Sequence, residues 1–232
     1  MARGYFITGT DTDVGKTYVA QCLMRAFREQ NYRTAGFKPV ASGGRWSGDR
    51  LQNEDAELLM LQSNVKIPYE LVNPYCFEPA IAPHIAAKNQ NCVISLELIK
   101  SSYQQIARQS DVVIVEGAGG WKVPFNPYEG FDDVALSLAT PIVLVVGLRL
   151  GCINHALLTE EAILNKGCRL VGWIGNSLEQ RFVEKDENID ALKEAMKSPC
   201  IGLFDYHPNQ EEEHVASQRN IESVLDYLLD FR

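Results

Sequence analysis

Gly9-Thr10-Asp11-Thr12-Asp13-Val14-Gly15-Lys16-Thr17 is the stretch that decides the fold of this chain. It follows the apolar run 5–7 and precedes a helical pattern that starts near Tyr18. A glycine-rich turn between a strand and a helix that ends in Gly-Lys-Thr is typical of a phosphate-binding P-loop. Backbone N–H groups and the helix N-terminus surround the phosphate oxygens, the lysine neutralises them, and the hydroxyl binds Mg²⁺.

The spacing of this motif is a variant. Five residues separate Gly9 from Gly15, and Thr10 stands where the usual motif has its first glycine. The alternative interpretation is a chance turn of Gly and Thr before a helix, and the strand–loop–helix context argues against it. We therefore expect Lys16 to contact the β- and γ-phosphates of a nucleotide and Thr17 to offer its hydroxyl to Mg²⁺.

The rest of the chain has the pattern of an α/β protein. The apolar runs at 111–115 and 141–146 are typical of strands that are buried on both faces of a parallel sheet. The first strand, the first helix and a strand at 33–37 form a β-α-β unit, which implies a parallel pair and a right-handed crossover. We predict one doubly wound α/β domain over residues 1–232, P-loop NTPase-like, with a mostly parallel sheet and helices on both faces.

The other elements follow from periodicity and from punctuation by Gly, Pro and Asn. Later strands are predicted at 169–175 and, weakly, at 200–203. We predict segment 38–53 to be a loop and segment 63–93 to be a surface excursion with one short helix. The main helices are predicted at 16–30, 55–62, 95–108, 131–139, 155–166, 187–196 and 221–229.

Composition excludes several classes of partner. The net charge of −8 argues against a nucleic-acid surface or an anionic membrane as partner. The longest apolar run, 141–148, is far short of the ~20 residues that span a bilayer. The six cysteines form no C-x-x-C pair, which argues against a zinc site or a redox pair. Without a secretory signal at the start, we expect reduced thiols and a cytoplasmic location.

Polar residues follow the predicted strands at their carboxyl ends, where open parallel sheets bind ligands. Lys38 and Ser42 come after the second strand, Glu116 after the third, and Asn176 after a later one. Glu116 ends an apolar strand as a Walker-B acid does, so with Thr17 it is a candidate Mg²⁺ ligand; the alternative is a solvated carboxylate at a strand end.

Asp55 and Lys38 complete the set of candidates. Asp55 is a second candidate metal ligand. Taken alone, it fits equally well the alternative of an acid at a helix cap or in the first turn of a helix. Lys38 stands at a strand end and is fixed by Pro39, so it could stabilise charge on a transferring phosphoryl group or hold an anionic acceptor. The alternative for Lys38 is a surface lysine with a buried stem.

With these residues in place, the chain resembles the dethiobiotin synthetases. The segments that match lie in the family's order and spacing as far as about residue 176, and the last 50 or so residues resemble the family only loosely. They are 5–17 (YFITGTDTDVGKT), 32–43 (YRTAGFKPVASG), 53–59 (NEDAELL), 72–84 (VNPYCFEPAIAPH), 112–121 (VVIVEGAGGW), 141–159 (PIVLVVGLRLGCINHALLT) and 172–176 (GWIGN).

The resemblance implies an ATP-dependent ligase of biotin synthesis that works as a homodimer. Such enzymes join 7,8-diaminopelargonic acid and CO₂, with ATP and Mg²⁺, into dethiobiotin, ADP and phosphate through a carbamate and a carbamic–phosphoric anhydride. Lys16, Lys38 and Thr12 would be the catalytic residues. The resemblance gives ATP binding to Asp13, Val14, Gly15, Lys16, Thr17, Glu116 and Asn176, and Mg²⁺ to Thr17, Asp55 and Glu116.

The diamine would be held from both subunits. Thr12 and Ser42 would position the diamine or its carbamate, and Asn176 would contact the adenine edge. The carboxylate tail would lie near Gly151, Cys152 and Asn154 of the other protomer, where a helix N-terminus favours an anion. Two loops, 122–133 and 202–214, match the family only in part, which leaves their roles and the selectivity for the nucleotide base open.

Two other functions compete with this one. Synthetases that activate a carboxylate for amidation share the P-loop but generally carry a glutaminase domain, for which we expect no room in 232 residues. ATP-driven partitioning switches carry a second lysine early in the P-loop, and this chain has Gly9-Thr10-Asp11 there.

Overall fold

The computed structural model describes residues 2–206 and 221–231. Residues 207–214 of the loop singled out above lie outside them. Within the described ranges, no helix combines the length and apolar character that crossing a membrane requires.

A parallel sheet of six strands forms the centre of the molecule, in the order β10-β9-β8-β1-β7-β2. All of its neighbouring pairs are parallel, and β1 lies between β7 and β8, where the chain changes its direction of winding. This confirms the predicted doubly wound α/β fold. The six strands are β1 (Arg3–Gly9), β2 (Thr34–Phe37), β7 (Val112–Glu116), β8 (Ile142–Leu148), β9 (Leu170–Ser177) and β10 (Cys200–Phe204).

Helices lie between these strands. The longer ones agree with the sequence prediction to within about three residues, and a helix at 221–230, here α9, follows the undescribed segment. The others are α1 (Lys16–Glu29), α2 (Glu54–Gln62), α3 (Tyr69–Val72), α4 (Pro83–Asn89), α5 (Leu96–Ala107), α6 (Phe131–Leu138), α7 (Cys152–Asn165) and α8 (Lys185–Ala195).

Both faces of the sheet are buried, which explains the continuous apolar runs. Val113 and Val115 of β7 pack on the side of α5 and α6, and Val112 and Ile114 pack on the side of α1 and α9. A third cluster joins β8 and β9 to α7 and α8 around the fully buried Trp173.

The structure corrects the predictions for the two segments rich in Pro and Gly. Segment 38–53 is not a loop throughout, because it holds β3 (Val40–Ser42) and the hairpin of β4 (Arg45–Ser47) and β5 (Arg50–Gln52). Segment 63–93 holds two short helices, α3 and α4, and the strand β6 (Tyr75–Phe77), which pairs with β3. Strands β3 and β6 are stabilised by pairing with each other across distant sequence, so local periodicity did not show them.

Two boundaries near the predicted site also differ. Helix α7 begins at Cys152 instead of residue 155, because Gly151 caps it in the left-handed region at φ 92°. Asn176 lies within β9, one residue before its end, instead of following the strand.

Lys38 directly follows strand β2 and Asp55 lies in helix α2, and these two elements touch at Gly36. A Cβ added to Gly36 would stand 2.6 Å from Leu59 Cβ and 3.3 Å from the Leu59 carbonyl oxygen. Glycine therefore allows the close approach of the helix to the strand.

Gly36→Ala should lower the free energy of unfolding by about 1–3 kcal/mol, because the added methyl overpacks this contact. Urea unfolding followed by circular dichroism measures the change. Gly120→Ala is the matched control, since its added methyl would meet nothing closer than 3.7 Å, and it should change stability by no more than about 0.5 kcal/mol. Equal stability of the two variants would contradict the close approach.

Candidate active site

The P-loop connects β1 to α1 with two residues in the left-handed region, Asp13 at φ 56° and Gly15 at φ 88°. A Cβ on Gly15 would stand 2.1 Å from Asn176 Nδ2, so only glycine fits there. Asn176 is buried and donates a hydrogen bond from Nδ2 to the Val14 carbonyl oxygen at 3.1 Å. The amide side chain of Asn176 therefore braces the P-loop, a contact that the sequence did not predict.

Lys16 is buried, and its Nζ donates to the carbonyl oxygen of Asp11 at 2.7 Å. Burial, and then the positive charge of Lys38, lower the pKa of Lys16 to about 8, against the opposing pull of Glu116 and Asp55. The ammonium of Lys16 is thus only weakly held in its charged form, and a polyanion beside it would raise its pKa.

Four predicted residues meet in one cluster: Thr17, Lys38, Asp55 and Glu116. Thr17 Oγ1 lies 2.9 Å from Asp55 Oδ1 and 2.7 Å from Glu116 Oε1. Lys38 Nζ lies 2.8 Å from Asp55 Oδ2 and 2.6 Å from Glu116 Oε1. It also donates to the Gly117 carbonyl oxygen at 3.1 Å, so all three protons of its ammonium have acceptors.

Four elements bring this cluster together. Glu116 is the last residue of β7 and lies in register with Ile7 of β1, next to the strand that leads into the P-loop. Lys38 directly follows β2, which pairs with β7. Asp55 is a first-turn residue of α2, as the alternative interpretation held, and its carboxylate nevertheless reaches Thr17 and Lys38.

The charges in the cluster depend on one another. Lys38 is 2% exposed, and although burial disfavours its charge, Glu116 and Asp55 raise its pKa above the ordinary value. Burial opposes the ionised form of Asp55, but Lys38 and Thr17 lower its pKa overall. Glu116 is fully buried, and burial together with the charge of Asp55 raises its pKa despite the neighbouring ammonium. We infer that Lys38 carries the positive charge that allows two carboxylates to lie here.

The donor set fits a magnesium ion. Glu116 Oε2 is buried and has no hydrogen-bond partner in the described part of the chain. A spare carboxylate oxygen beside the oxygens of Asp55 and Thr17 is the hard, incomplete ligand set that Mg²⁺ fills with water and substrate phosphates.

Thr12 and Ser42 lie outside this cluster. A Cβ on Gly119, in the loop after β7, would stand 3.6 Å from Thr12 Oγ1, so Thr12 faces that loop. Ser42 Oγ is buried and lacks a hydrogen-bond partner within residues 2–206 and 221–231, which leaves it able to bind a ligand.

The residues predicted for the substrate tail lie at the start of α7. Cys152 is buried in the cluster around Trp173, and its backbone N–H donates to the Arg149 carbonyl oxygen at 3.0 Å. Asn154 is exposed. None of the contacts described for this chain joins Gly151, Cys152 or Asn154 to the cluster at Lys38.

Two features of the site had not been predicted. Arg149, after β8, pairs with Asp11 at 2.5 Å and so ties the P-loop to the segment before α7; a basic residue at a strand end was the available signal. Behind Lys38, Asn73 donates from Nδ2 to the Lys38 carbonyl oxygen at 2.7 Å. That contact spans 35 residues of sequence, and no local pattern marks it.

A cavity of about 910 Å³ lies at the amino end of β1, away from the P-loop. It is lined in part by Arg3, Tyr103, Arg108 and Thr140. It contains none of the candidate residues. Arg108 caps α5, and Arg3 donates to the Leu229 carbonyl oxygen at the end of α9. Helix carboxyl ends favour such cations, so these charges need no ligand to explain them.

Comparison with known proteins decides the family. A family model described as an AAA domain matches residues 3–214. The ATP-dependent dethiobiotin synthetase BioD of Cellvibrio japonicus (strain Ueda107) is 48% identical over 224 residues, which cover 97% of this chain and 98% of the relative. The chain belongs to the family of ATP-dependent dethiobiotin synthetases. A further dethiobiotin synthetase, from Pseudomonas aeruginosa (strain LESB58), is 46% identical over 199 residues, 85% of this chain and 87% of that one.

Solved structures show the fold of this dethiobiotin synthetase family member independently. The MinC:MinD cell division protein complex of Aquifex aeolicus contains a chain that matches with a TM-score of 0.62 at 16% identity, over 98% of this chain and 94% of the other. A ParA family ATPase from Chlorobium tepidum TLS matches with a TM-score of 0.59 at 13% identity, over 100% and 99%. At such identities the likeness confirms the P-loop NTPase-like fold and nothing more.

Nucleotide binding to this dethiobiotin synthetase family member should take up a proton at Lys16. With a pKa of about 8 before binding and a higher one beside the triphosphate, Lys16 gains protonation when MgATP binds. Uptake should be about half a proton per site at pH 8 and about a tenth at pH 7. Calorimetry in buffers of different ionisation enthalpy measures this uptake. Equal uptake at the two pH values would contradict the lowered pKa.

Proposed function

We propose that this protein catalyses the ATP-dependent carboxylation and ring closure of 7,8-diaminopelargonic acid with CO₂ to dethiobiotin, ADP and phosphate. Membership of the dethiobiotin synthetase family supports this reaction. The observation that carries it is the cluster of Lys38, Asp55, Glu116 and Thr17 beside the P-loop, in which Lys38 and Glu116 are buried. Such a cluster suits transfer of a phosphoryl group to an anionic acceptor, which needs positioning and positive charge but no protein nucleophile.

The residues divide the work by position. One amine of the diamine attacks CO₂, loses a proton and becomes a carbamate, whose negative charge Lys38 stabilises. A carbamate oxygen then attacks the γ-phosphorus, the bond to the β-phosphate breaks, and ADP leaves from the residues Asp13 to Thr17. The second amine attacks the carbonyl carbon of the carbamic–phosphoric anhydride, loses a proton and expels phosphate. Thr12 and Ser42 hold the diamine and its carbamate in line.

Lys16 stabilises the charge on the transferring group from the P-loop side, opposite Lys38. Thr17, Asp55 and Glu116 would hold Mg²⁺, which supplies neutralising charge to the phosphates when bound. Asn176, which donates to the Val14 carbonyl oxygen of the P-loop, is proposed to contact adenine in addition to bracing that loop.

We also propose a homodimer whose active sites are shared. Leu150, which precedes α7, and Leu158, which lies within α7, are exposed, and an interface would cover such large apolar side chains. The N-terminus of α7 would hold the carboxylate tail of the diamine bound to the other protomer, through Gly151, Cys152 and Asn154. The partners are then small molecules and a second copy of the chain, without nucleic acid or membrane, and the location is cytoplasmic.

Release of ADP with MgATP and bicarbonate should depend on 7,8-diaminopelargonic acid, with dethiobiotin detected by mass. The control omits the diamine. ATP bound but hydrolysed without dependence on the diamine would overturn this substrate and would favour an amidating synthetase or a partitioning switch, the two alternatives that share the P-loop.

The two lysines should separate binding from turnover. Lys16→Ala and Lys38→Ala should each lower kcat by about 10²-fold or more, because each removes charge stabilisation from the transition state. Lys38→Ala should retain ATP binding better than Lys16→Ala, and that binding also shows that the variant is folded. Full activity of Lys38→Ala would show that its assigned role is wrong.

Shared sites predict that two impaired variants complement each other. Asn154→Asp places a negative charge near the substrate carboxylate and should raise the KM for the diamine, whereas Lys38→Ala should lower kcat by about 10²-fold or more. Assayed at a diamine concentration far below the raised KM, co-expressed chains that mix at random should regain about a quarter of normal activity, since half of the dimers are heterodimers and each of these has one intact site of two. Sites built within one chain would give no recovery, and either variant alone is the control.

A further inference from the structure

Three groups of the proposed site come from separate segments: Lys38 after β2, Ser42 at the end of β3, and Asp55 in the first turn of α2. The structure joins these segments through Asn53, the N-cap of α2. Asn53 Oδ1 accepts from the Ala56 N–H at 3.3 Å, and Asn53 Nδ2 donates to the Ser42 carbonyl oxygen at 3.2 Å. Asn53 thus fixes the start of the helix that carries Asp55 against the segment that carries Ser42.

From Asn53, buried hydrogen bonds continue to Lys38. The Asn53 N–H donates to the hydroxyl of Tyr69 at 2.7 Å, and that hydroxyl donates to Asn73 Oδ1 at 2.8 Å. Asn73 Nδ2 donates to the carbonyl oxygens of Lys38 at 2.7 Å and Tyr75 at 3.2 Å. The Lys38 N–H donates to the Val72 carbonyl oxygen at 2.8 Å, so α3 and the residue after it hold both backbone polar groups of Lys38.

The direction of these bonds is determined by chemistry. The carbonyl oxygens of Lys38 and Tyr75 can only accept, so the amide of Asn73 must turn its nitrogen toward them and its oxygen toward Tyr69. The Tyr69 hydroxyl therefore donates to Asn73 and accepts from Asn53. Tyr69, Asn73 and Asn53 are 6%, 3% and 6% exposed, so water cannot easily replace a lost partner.

We propose that Tyr69 and Asn73 are positioning residues that set Lys38 and Asp55 at the separation that catalysis requires. They touch neither the P-loop nor the proposed reacting groups, and they act through the backbone of Lys38 and the N-cap of α2. The predicted effect on turnover rests on the proposed function. The predicted effect on metal binding follows from the position of Asp55 and can be measured without turnover.

Tyr69→Phe is the test, because it removes one hydroxyl and leaves the ring in place. The N–H of Asn53 and the Oδ1 of Asn73 then lose their partner, and the start of α2 is free to shift against Lys38. We expect kcat to fall by about tenfold, with metal-free ADP affinity changed by less than about twofold. The gain in ADP affinity on adding Mg²⁺ should also fall by about tenfold, because Asp55 is displaced.

Tyr5→Phe is the matched control. Tyr5 is 3% exposed, and its hydroxyl donates to the Leu228 carbonyl oxygen at 2.7 Å, near the amino edge of the sheet. Tyr5→Phe also loses a buried hydroxyl bond, so both variants should lower Tm. Only Tyr69→Phe should change kcat and the magnesium-dependent gain in ADP affinity. Asn73→Ala, which removes the donor to Lys38, should change both in the same direction as Tyr69→Phe.

Normal kcat and a normal magnesium-dependent gain in Tyr69→Phe would overturn the positioning role. Equal losses in Tyr69→Phe and Tyr5→Phe would also overturn it, since they would reflect stability alone. If the unaltered protein shows no turnover with the diamine, the proposed function fails, and the magnesium-dependent gain in ADP affinity still decides the positioning role.

Discussion

The contact of the buried Lys38 with Glu116 and Asp55 is the constraint on which the site depends. Removing such ions from water costs several kcal/mol for each, and an unpaired partner left behind costs about 3–5 kcal/mol. Lys38 and Glu116 are almost wholly buried, so neither is tolerable alone. Strands β2 and β7 must therefore pair, and α2 must approach at Gly36, for the charges to meet. The packing of these elements thus forms the cluster, and the cluster in turn favours that packing.

The same cluster explains why the proposed chemistry needs no protein nucleophile. Fixed charges that are shielded from water, as Lys38 and Glu116 are, act strongly on a developing charge and need no reorganisation during reaction. Lys38 faces the cluster from the side of β2, and Lys16 faces it from the P-loop. A carbamate and a γ-phosphoryl group between them would be held by groups whose positions the sheet already fixes. Family membership and this geometry thus agree on phosphoryl transfer to a small acceptor.

Much of this could be predicted from the sequence, because its signals are local. The P-loop, the apolar strands and Glu116 at the end of β7 each follow from a few adjacent residues. The pairing of β3 with β6 and the bond from Asn176 to the P-loop depend on residues far apart in the chain. The bonds from Asn53 through Tyr69 and Asn73 to Lys38 are of the same kind. The local sequence around a buried amide does not show which distant groups will be its hydrogen-bond partners.

The protonation of Lys38 is the property to measure first. Spectra that correlate ¹H and ¹⁵N of lysine ammonium groups, with Lys38→Ala to assign the signal, follow this one group through pH. The account predicts a signal that persists to about pH 10, where exposed ammonium groups exchange too fast to observe, with no titration below the ordinary lysine pKa. A Lys38 signal that titrates below that value would mean that the two carboxylates do not hold its charge, and would contradict the central claim.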